Sequence, residues 1–497
     1  MERTQHIAVE GLPQVGRLGE RLQSYNVEMV EIIGGRFWKP YGARNGAEVP
    51  DSRADTTPTG MDPSLYRYRP PIDLSNERLR KLAAALGPAY VRVSGTWANT
   101  VYFHDSDDPP PSRPPQGFGG VLTRDQWRGV IDFAASVGGE LVTSVATGTG
   151  VRHRDGAWTS DQAQAVVDYT TEVGGRIAAT EFMNEPTYAA MGGAPPGYDA
   201  AAYGRDVRIF RDFLTRAAPG TLFLGPGSVG EGGSLPVSLG GAELLSSEDL
   251  LAASGPVFDV FSYHFYGAVS ERMRAVGPEA QTSADAALSA GWLSRTDLVH
   301  TYYAELRDRF LPGKPMWLTE TAEAAAGGNP WAATFTDTFR YLYQLGSLAR
   351  SGVQVIMHNT LASSDYGLLD EDTFSPRPNY WAALLWRSLM GNSVLDPGPS
   401  PSSDLHLFAH DLRGGSNGVA LLVINGDQAE SYTLEIDRAV KRYTLSAPRR
   451  SDRSVELNGQ ELALTAGGGL PQLAGARHPA GPLTVGPRTI TFLTTAP

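Results

Sequence analysis

Short apolar, β-branched segments recur along most of this 497-residue chain, and helix-like stretches separate several of them. Segments that are apolar on both faces suit a parallel sheet covered by helices. Eight such segments predict eight strands, and the simplest closed arrangement with helical crossovers is a (β/α)8 barrel. The predicted strands span residues 23–33, 89–93, 140–146, 177–183, 222–225, 257–263, 315–319 and 354–357.

The stretches between these strands carry helix start and stop signals. "TRDQWRGVIDFAASVGG" begins with Thr123 and Gln126 in capping-box spacing and ends on two glycines. "TSDQAQAVVDYTTEVGG" repeats both features with Thr159 and Gln162. A doubly wound open sheet is the alternative, but no glycine-rich phosphate-binding fingerprint follows an early strand.

The pattern changes after residue 392. Four short segments, "GVALLVING", "SYTLEID", "VELNGQELAL" and "PLTVGPRTITFLTT", alternate with turn residues, and Asn458-Gly459 is a strong hairpin signal. This texture predicts a β-sandwich over residues 393–497, appended to a barrel over residues 21–392. The segment "HIAVEG" lies within residues 1–20, and we expect it to add a strand to the sandwich.

Charge and composition exclude several classes of function. A net charge of −12 argues against general nucleic-acid binding, and the absence of cysteine excludes disulfides and thiolate metal sites. No apolar run approaches the ~18 residues that a membrane helix needs. The N-terminus shows no apolar signal-peptide region, so we expect a cytoplasmic protein, or a secreted one if the sequence is trimmed.

Two glutamates follow apolar strands. Glu185, in "ATEFMNEPTY", ends the predicted fourth strand, and Glu320, in "PMWLTETAEA", ends the seventh. Residues at these strand ends face the active site of a barrel. Glycosidic cleavage needs two convergent carboxylates: one protonates the leaving oxygen, and the other attacks the anomeric carbon or activates water. A structural salt bridge is the alternative for either, and Glu323 rivals Glu320 but is interpreted as a loop or supporting residue.

Residues beside the glutamates fit the same chemistry. Asn184 suits a hydrogen bond to a sugar hydroxyl next to the reacting carbon. In "FSYHFYG", His264 and Tyr266 point to one side of the sixth strand, where Tyr266 would contact the nucleophile or a sugar oxygen. An aromatic core with a satisfied histidine is the alternative. The acidic stretch at 104–108 lacks the glycine and the terminal glutamate of a calcium loop, so we expect neither metal nor cofactor.

An Asn-Glu-Pro acid/base on strand four with a glutamate nucleophile on strand seven resembles the large clan of retaining barrel glycosidases. More narrowly, "WLTETAEAAAGG", "LARSGVQVIMHN" and "DYGLLDEDTFSPRPNYWAALLWRSLMGNSVL" resemble the heparanase-like β-glucuronidases, glycoside hydrolase family 79. "LRKLAAALGPAYVRVSGTWAN", "FLGPGSVG" and "YHFYG" are similar to other parts of that family. The resemblance runs from about residue 24 to residue 395 and implies the same barrel architecture.

The resemblance implies that Glu185 is the acid/base, that Glu320 is the nucleophile and that Tyr266 lies beside it. Trp97 stands where heparanase has a lysine, which weakens the case for a sulfated polyanion. Asp365 would repel a uronate carboxylate at a few ångströms unless its side chain points away. The resemblance also implies a set of sugar-contacting positions, namely Asn26, Glu28, Thr96, Asn359 and, for a uronate carboxylate, Tyr366 in Ser364-Asp365-Tyr366.

The expected function is that of a retaining β-glucuronidase acting on a carbohydrate, as a single uncleaved chain, with no nucleic-acid or membrane partner. A β-xylosidase, an α-L-arabinofuranosidase or a β-glucosidase would use the same chemistry on another sugar. A non-catalytic carbohydrate-binding barrel is the alternative outside enzymes.

Overall fold

A computed structural model describes residues 4–7, 11–42, 57–58, 60–233, 244–415 and 417–495. Eight parallel strands close into a barrel, and each pairs with its neighbours in chain order. The predicted barrel is therefore confirmed. Its strands are β1 (Gln23–Glu28), β2 (Ala89–Ser94), β3 (Gly139–Ser144), β4 (Ile177–Glu181), β5 (Leu222–Ser228), β6 (Val260–Val269), β7 (Met316–Ala325) and β8 (Val355–His358).

Helices connect the strands and cover the barrel. Thr123 and Gln126 form the predicted reciprocal capping box at the helix that follows β2. The second predicted box is wrong: Ser160 precedes the next helix without a side-chain cap, and Gln162 instead accepts a hydrogen bond from the Phe103 N–H. The crossover helices are α1 (Glu77–Ala85), α2 (Arg124–Ser136), α3 (Asp161–Glu172), α4 (Ala200–Ala217), α5 (Ser247–Ser254), α6 (Arg295–Phe310) and α7 (Phe335–Arg350), and α8 (Pro378–Leu389) follows β8. Shorter helices span Met29–Ile33 and Ala290–Leu293.

Two strand boundaries differ from the prediction in ways that affect the site. β1 ends at Glu28, and the apolar residues after it form the helix Met29–Ile33. β7 continues to Ala325, so Glu320 lies inside this strand rather than at its end. Burial continues across both boundaries, so the sequence pattern that predicts a buried segment does not show where one element ends.

The barrel interior is layered. Its lower layer is apolar and consists of Val142, Ala179, Leu224, Val260, Trp317, Val355 and Met357. The layer above is polar and includes Arg92 and Glu181, which are almost fully buried. Side chains alternate along a strand, so residues two positions apart point to the same side. On β4, β6 and β7, the residue two positions beyond the apolar layer therefore lies in the polar layer.

The C-terminal part consists of two sheets that share one apolar cluster. Its strands are β9 (Met390–Leu395), β10 (Leu405–Leu412), β11 (Val419–Asn425), β12 (Tyr432–Ile436), β13 (Val440–Ser446), β14 (Glu456–Leu457), β15 (Gln460–Glu461), β16 (Ala476–His478), β17 (Gly481–Val485) and β18 (Thr489–Thr495). Leu407, Leu421 and Leu493 from the larger sheet pack with Leu434 and Leu483 from the smaller one. This face-to-face packing is that of a β-sandwich.

N-terminal strands join both C-terminal sheets. Thr4–Ile7 pairs in parallel with β12, and Gln14–Arg17 pairs antiparallel with β9. Residues 8–10 of the predicted N-terminal strand lie outside the described residues. The predicted domain boundary at residue 393 falls within β9, and the division of the chain at that point stays a prediction.

Two strand pairs extend the loops at the barrel mouth. Gly35–Trp38 pairs antiparallel with Tyr66–Arg69 after β1, and Val101–His104 pairs in parallel with Gly120–Thr123 after β2. The Pro-rich stretch 105–119 connects the strands of the second pair. In the described part of the chain, the helices are too short or too polar to cross a membrane.

Candidate active site

Glu185 and Glu320 meet at the barrel mouth. β4 ends at Glu181, and the chain turns so that Glu185 takes a left-handed backbone conformation with φ 51°, just before the turn Pro186–Tyr188. The pairing of β7 is irregular on both sides, after Tyr263 of β6 and after Leu318 of β7, and Glu320 lies at this irregularity. One carboxylate oxygen from each glutamate and one ring nitrogen of His264 lie within 4.8 Å of one another.

Two strong donors hold Glu320. Nη1 of Arg92 donates to Oε2 at 2.9 Å, and the Tyr266 hydroxyl donates to Oε1 at 2.6 Å. Both donors favour the ionised carboxylate. Although the side chain is only 7% exposed, it lines the active-site cavity. Glu320 therefore presents a carboxylate held by two donors to the cavity.

Arg92 organises the polar layer beneath the two glutamates. It donates to Glu181 at 2.8 Å, to the Asn184 side-chain oxygen at 2.8 Å and towards Nε2 of His264 at 3.3 Å. The charges of Glu181 and Glu320 outweigh burial and raise the arginine pKa. Despite burial, the charge of Arg92 also keeps the pKa of Glu181 below its usual range.

The same arginine determines the tautomer of His264. A guanidinium is only a donor, so its approach to Nε2 favours the tautomer with the ring proton on Nδ1. Burial lowers the pKa of His264, which keeps the ring neutral. Nδ1 is 3.0 Å from Oε1 of Glu185, so the neutral imidazole donates to the acid/base candidate and orients it.

Glu185 is in a very different environment from Glu320. Its side chain is 13% exposed, and burial raises its pKa to about 7 even though Arg92 opposes this shift. A carboxyl group with this pKa holds a proton near neutrality and can give it to a leaving oxygen. The two carboxyl groups thus have different environments, since Arg92 and Tyr266 donate to Glu320 whereas burial dominates at Glu185.

A hydrogen-bonded polar group lines the cavity next to Glu320. Nδ2 of Asn359 lies 3.0 Å from Glu28, 3.1 Å from the Tyr266 hydroxyl and 3.2 Å from the Tyr366 hydroxyl, and its two hydrogens are shared among these three acceptors. Burial and the neighbouring charge of Glu320 raise the pKa of Glu28 well above its usual range. Oε2 of Glu28 has no hydrogen-bond partner among the described residues, which leaves it available to a ligand.

The other predicted site residues lie around this centre. Asn184 is held by Arg92, and its Nδ2 has no partner within the described chain, so it can donate to a ligand. Thr96 lines the cavity from the turn after β2. Asn26 is buried and donates to the Thr319 carbonyl at 3.2 Å, outside the cavity lining. Among the described residues, Asn26, Asn184 and His264 are the predicted positions that do not line the cavity. The predicted positions that do line it are Glu28, Thr96, Glu185, Tyr266, Glu320, Asn359 and Tyr366.

Glu323 and Asp365, two further acidic residues considered from the sequence, lie outside the cavity lining. Glu323 is a buried residue of β7 that accepts from the Asn329 N–H, and burial raises its pKa to about 8. Asp365 forms a buried ion pair with Arg272 at 2.6 Å. Its charge is neutralised there and does not face the site.

The cavity at the barrel mouth is lined by Glu28, Glu185 and Glu320 among other residues. A second cavity lies between the barrel and its helices, but no ionisable side chain among the described residues lines it. The chemistry therefore belongs to the cavity that contains Glu28, Glu185 and Glu320.

Arg92 and Glu181 are functional residues that were not predicted from the sequence. Both signals were visible: each is a charged residue inside an otherwise apolar strand segment, in "AYVRVS" and "IAATE". A buried charge requires a partner, so two opposite charges in neighbouring core strands indicate an internal ion pair.

Glu185, His264 and Glu320 also have the ligand types of a metal site. Arg92 argues against one, because its guanidinium lies 2.9 Å from Glu320 and 3.3 Å from His264 and would repel a cation. The proton on Nδ1 of His264 also occupies the nitrogen that points to the two glutamates.

A closed (β/α)8 barrel with two differently tuned carboxyl groups across its mouth defines the class of the glycoside hydrolases. Residues 70–346 match the description "Glycosyl hydrolase family 79, N-terminal domain", and the chain belongs to this family. This match confirms the resemblance found in the sequence.

Curated relatives agree with this assignment, and a solved structure shares the fold. The chain is 28% identical to Heparanase-like protein 1 of Arabidopsis thaliana over 400 residues, which cover 77% of this chain and 70% of that protein. It is 33% identical to Baicalin-beta-D-glucuronidase of Scutellaria baicalensis over 165 residues, covering 32% and 31% of the two chains. The fold is similar to a 4-O-alpha-L-rhamnosyl-beta-D-glucuronidase from Fusarium oxysporum 12S, with a TM-score of 0.62, 13% identity and coverage of 99% and 100%.

Proposed function

We propose that this glycoside hydrolase is a retaining β-glucuronidase that works by double displacement. The observation that carries the proposal is the approach of Glu185 and Glu320 to within 4.8 Å between carboxylate oxygens. Retaining enzymes keep their two carboxyl groups ~5–5.5 Å apart, whereas inverting enzymes leave ~6.5–9.5 Å for a water molecule.

In the first step, Glu320 attacks the anomeric carbon while the bond to the leaving oxygen breaks. Glu185 gives its proton to that oxygen, so the leaving group departs as a neutral alcohol. The Asn184 amide, held by Arg92, would donate to the sugar hydroxyl beside the reacting carbon.

In the second step, the now ionised Glu185 takes a proton from water. The water oxygen bonds to the anomeric carbon, the bond to Glu320 breaks, and the sugar is released with its original anomeric configuration. The Tyr266 hydroxyl stabilises Glu320 as it returns to the anionic form.

Features of the polar end of the cavity support a uronate as the sugar. The hydroxyl of Tyr366 lines the cavity and is oriented by Asn359. The repulsion expected from Asp365 is absent, because this carboxylate is paired with Arg272 away from the cavity. Burial and the neighbouring Glu320 raise the pKa of Glu28, which favours its uncharged form and so reduces the negative charge that a uronate would meet.

A panel of 4-nitrophenyl glycosides tests the sugar, and NMR of the first-formed anomer tests retention. We expect release from the β-glucuronide with the β-anomer formed first. Faster release from the β-xyloside, the α-L-arabinofuranoside or the β-glucoside would contradict the uronate assignment, and first formation of the α-anomer would contradict retention. Turnover of the best substrate that is unchanged in Glu320→Ala would contradict the role of Glu320. No turnover on the panel favours a non-catalytic carbohydrate-binding barrel.

A further inference from the structure

The lining of the active-site cavity falls into two chemically distinct groups. Glu28, Tyr266, Glu320, Asn359 and Tyr366 form the hydrogen-bonded polar group described above. A second group is apolar and consists of Trp38, Met61, Trp97, Met191, Val229 and Val269. Among the described residues, the lining contains neither lysine nor arginine.

The apolar part of the cavity continues into an open groove. Pro58, Thr96, Trp97 and Met191 line both the cavity and the groove, so the two spaces are adjacent. Within the described chain, no ionisable side chain lines the groove. Its wall is partly bare backbone, because Gly117, Gly119, Gly120, Gly192 and Gly193 contribute no side chains.

The position of Glu185 indicates which part of the substrate enters this groove. The general acid must lie beside the oxygen that leaves, so the leaving group lies on the side of Glu185. The segment that follows Glu185 supplies Tyr188 and Met191 to the cavity and residues 190–194 to the groove. The leaving group therefore passes from Glu185 along Met191 into the groove.

From this arrangement we infer that the leaving group is an uncharged, flat, apolar aglycone such as a phenol with one or more fused rings. Aromatic and thioether side chains bind aromatic rings well. A sulfated saccharide would lose the hydration of its sulfates in a groove whose described residues offer no cation, and sulfates are recognised chiefly by arginine and lysine. The inference rests on the proposed glycosidase chemistry of Glu185 and Glu320.

The test compares two aryl β-glucuronides whose phenols have equal pKa values, so that the two phenols are equally good leaving groups. One phenol carries a second apolar ring and the other carries a sulfonate. We expect kcat/KM to be higher for the apolar aglycone by about 10-fold or more. Equal or higher kcat/KM for the sulfonated aglycone overturns the inference and leaves the proposed function intact.

If neither glucuronide is cleaved, the sugar assignment is wrong. The same two phenols are then attached to the sugar that the glycoside panel selects. The ratio of kcat/KM for the apolar aglycone to kcat/KM for the sulfonated one decides the inference in the same way. Failure of the inference and failure of the proposed function are thus separate results.

Met191 allows a matched pair of variants, because it is only half-buried. Met191→Lys places a cation in the groove, and we expect it to lower the ratio of apolar to sulfonated kcat/KM by about 10-fold. Met191→Leu keeps an apolar side chain of similar size and should retain the wild-type ratio. The same ratio in both variants contradicts the path through the groove.

Discussion

At the scale of single residues, the site places two glutamates in different surroundings a few ångströms apart. Glu320 has Arg92 and Tyr266 as hydrogen-bond donors, whereas Glu185 has burial and a neutral histidine. Hydrogen-bond donors, above all a charged guanidinium, stabilise the ionised carboxylate. Burial without such donors stabilises the protonated acid. The division of roles follows from these contacts rather than from the identity of the residues.

The dependence of kcat/KM on pH should follow the protonation of Glu185. Because burial raises the pKa of Glu185 to about 7, kcat/KM should fall as the pH rises through about 7 and the acid loses its proton. Glu185→Gln should lower kcat/KM by about 10²–10⁴-fold on an unactivated glycoside and much less on a dinitrophenyl glycoside, which needs no proton to leave.

Glu323→Gln is the matched control, since it removes another buried acid with a raised pKa that lies outside the cavity lining. This variant should keep the alkaline limb of the profile. An alkaline limb that survives in Glu185→Gln on the unactivated substrate would show that another group is the acid.

The stability of the fold should also report on Glu185. Its pKa is about 7 in the native state and about 4.5 when exposed, so the native state binds more protons between these pH values. Stability is therefore lost as pH rises through this window. At pH 8, Glu185→Gln should unfold with a free energy higher than wild type by up to about 3 kcal/mol, and the difference should shrink towards pH 4.5. Urea unfolding at pH 5 and pH 8 measures this difference, and equal stabilities at pH 8 would refute the raised pKa.

At the scale of elements, the loops after the strands set how closely the functional groups approach. Gly95 ends β2 with φ 94°, and a Cβ there would overlap Oε2 of Glu28 from the neighbouring strand. The absence of a side chain at this one position lets β1 and β2 bring Glu28 into the cavity.

Gly95→Ala should therefore impair the site beyond ordinary backbone strain. We expect a loss of stability of about 1–3 kcal/mol from strain at positive φ, together with a rise in KM because Glu28 is displaced. Gly138→Ala is the control, because Gly138 also has positive φ (66°) but would place its Cβ in open space. Comparable KM values in the two variants would indicate that Glu28 does not contact the substrate.

At the scale of the whole molecule, the barrel and the C-terminal sandwich share a continuous core. Phe408 of β10 packs against α7, where its ring occupies the space beside Gly346 and lies 5.7 Å from the ring of Tyr343. The main apolar cluster runs from the barrel helices into β10, β11, β13 and β18. We expect the two parts to unfold together, since a shared buried interface couples their stabilities.

Phe408→Ala should lower the free energy of unfolding by about 3–5 kcal/mol, the usual cost of truncating a buried phenylalanine. Val15→Ala, at a residue that is 53% exposed, should change it by less than about 0.5 kcal/mol. Denaturant unfolding followed by fluorescence and by circular dichroism measures both effects. Two separate transitions, or a small effect of Phe408→Ala, would contradict a coupled core.

Much of this molecule was determined by local sequence. Eight apolar runs with helical crossovers predicted the barrel, the turn-rich C-terminal strands predicted the sandwich, and "NEP" with "TETAE" indicated the two glutamates. These features are periodic or contiguous, so the chain shows them without knowledge of its neighbours. The end of β1 at Glu28 was not predicted, because the strand and the helix that follows it are both fully buried and burial does not change at the boundary.

Tertiary structure alone decided the electrostatics of the site. Arg92, Glu181 and His264 come from three strands, and only closure of the barrel brings them together under Glu185 and Glu320. The ion pair that removes Asp365 from the cavity likewise joins residues 93 positions apart. A pKa and a contact depend on distance and burial in three dimensions, and neither quantity is written in the order of residues along the chain.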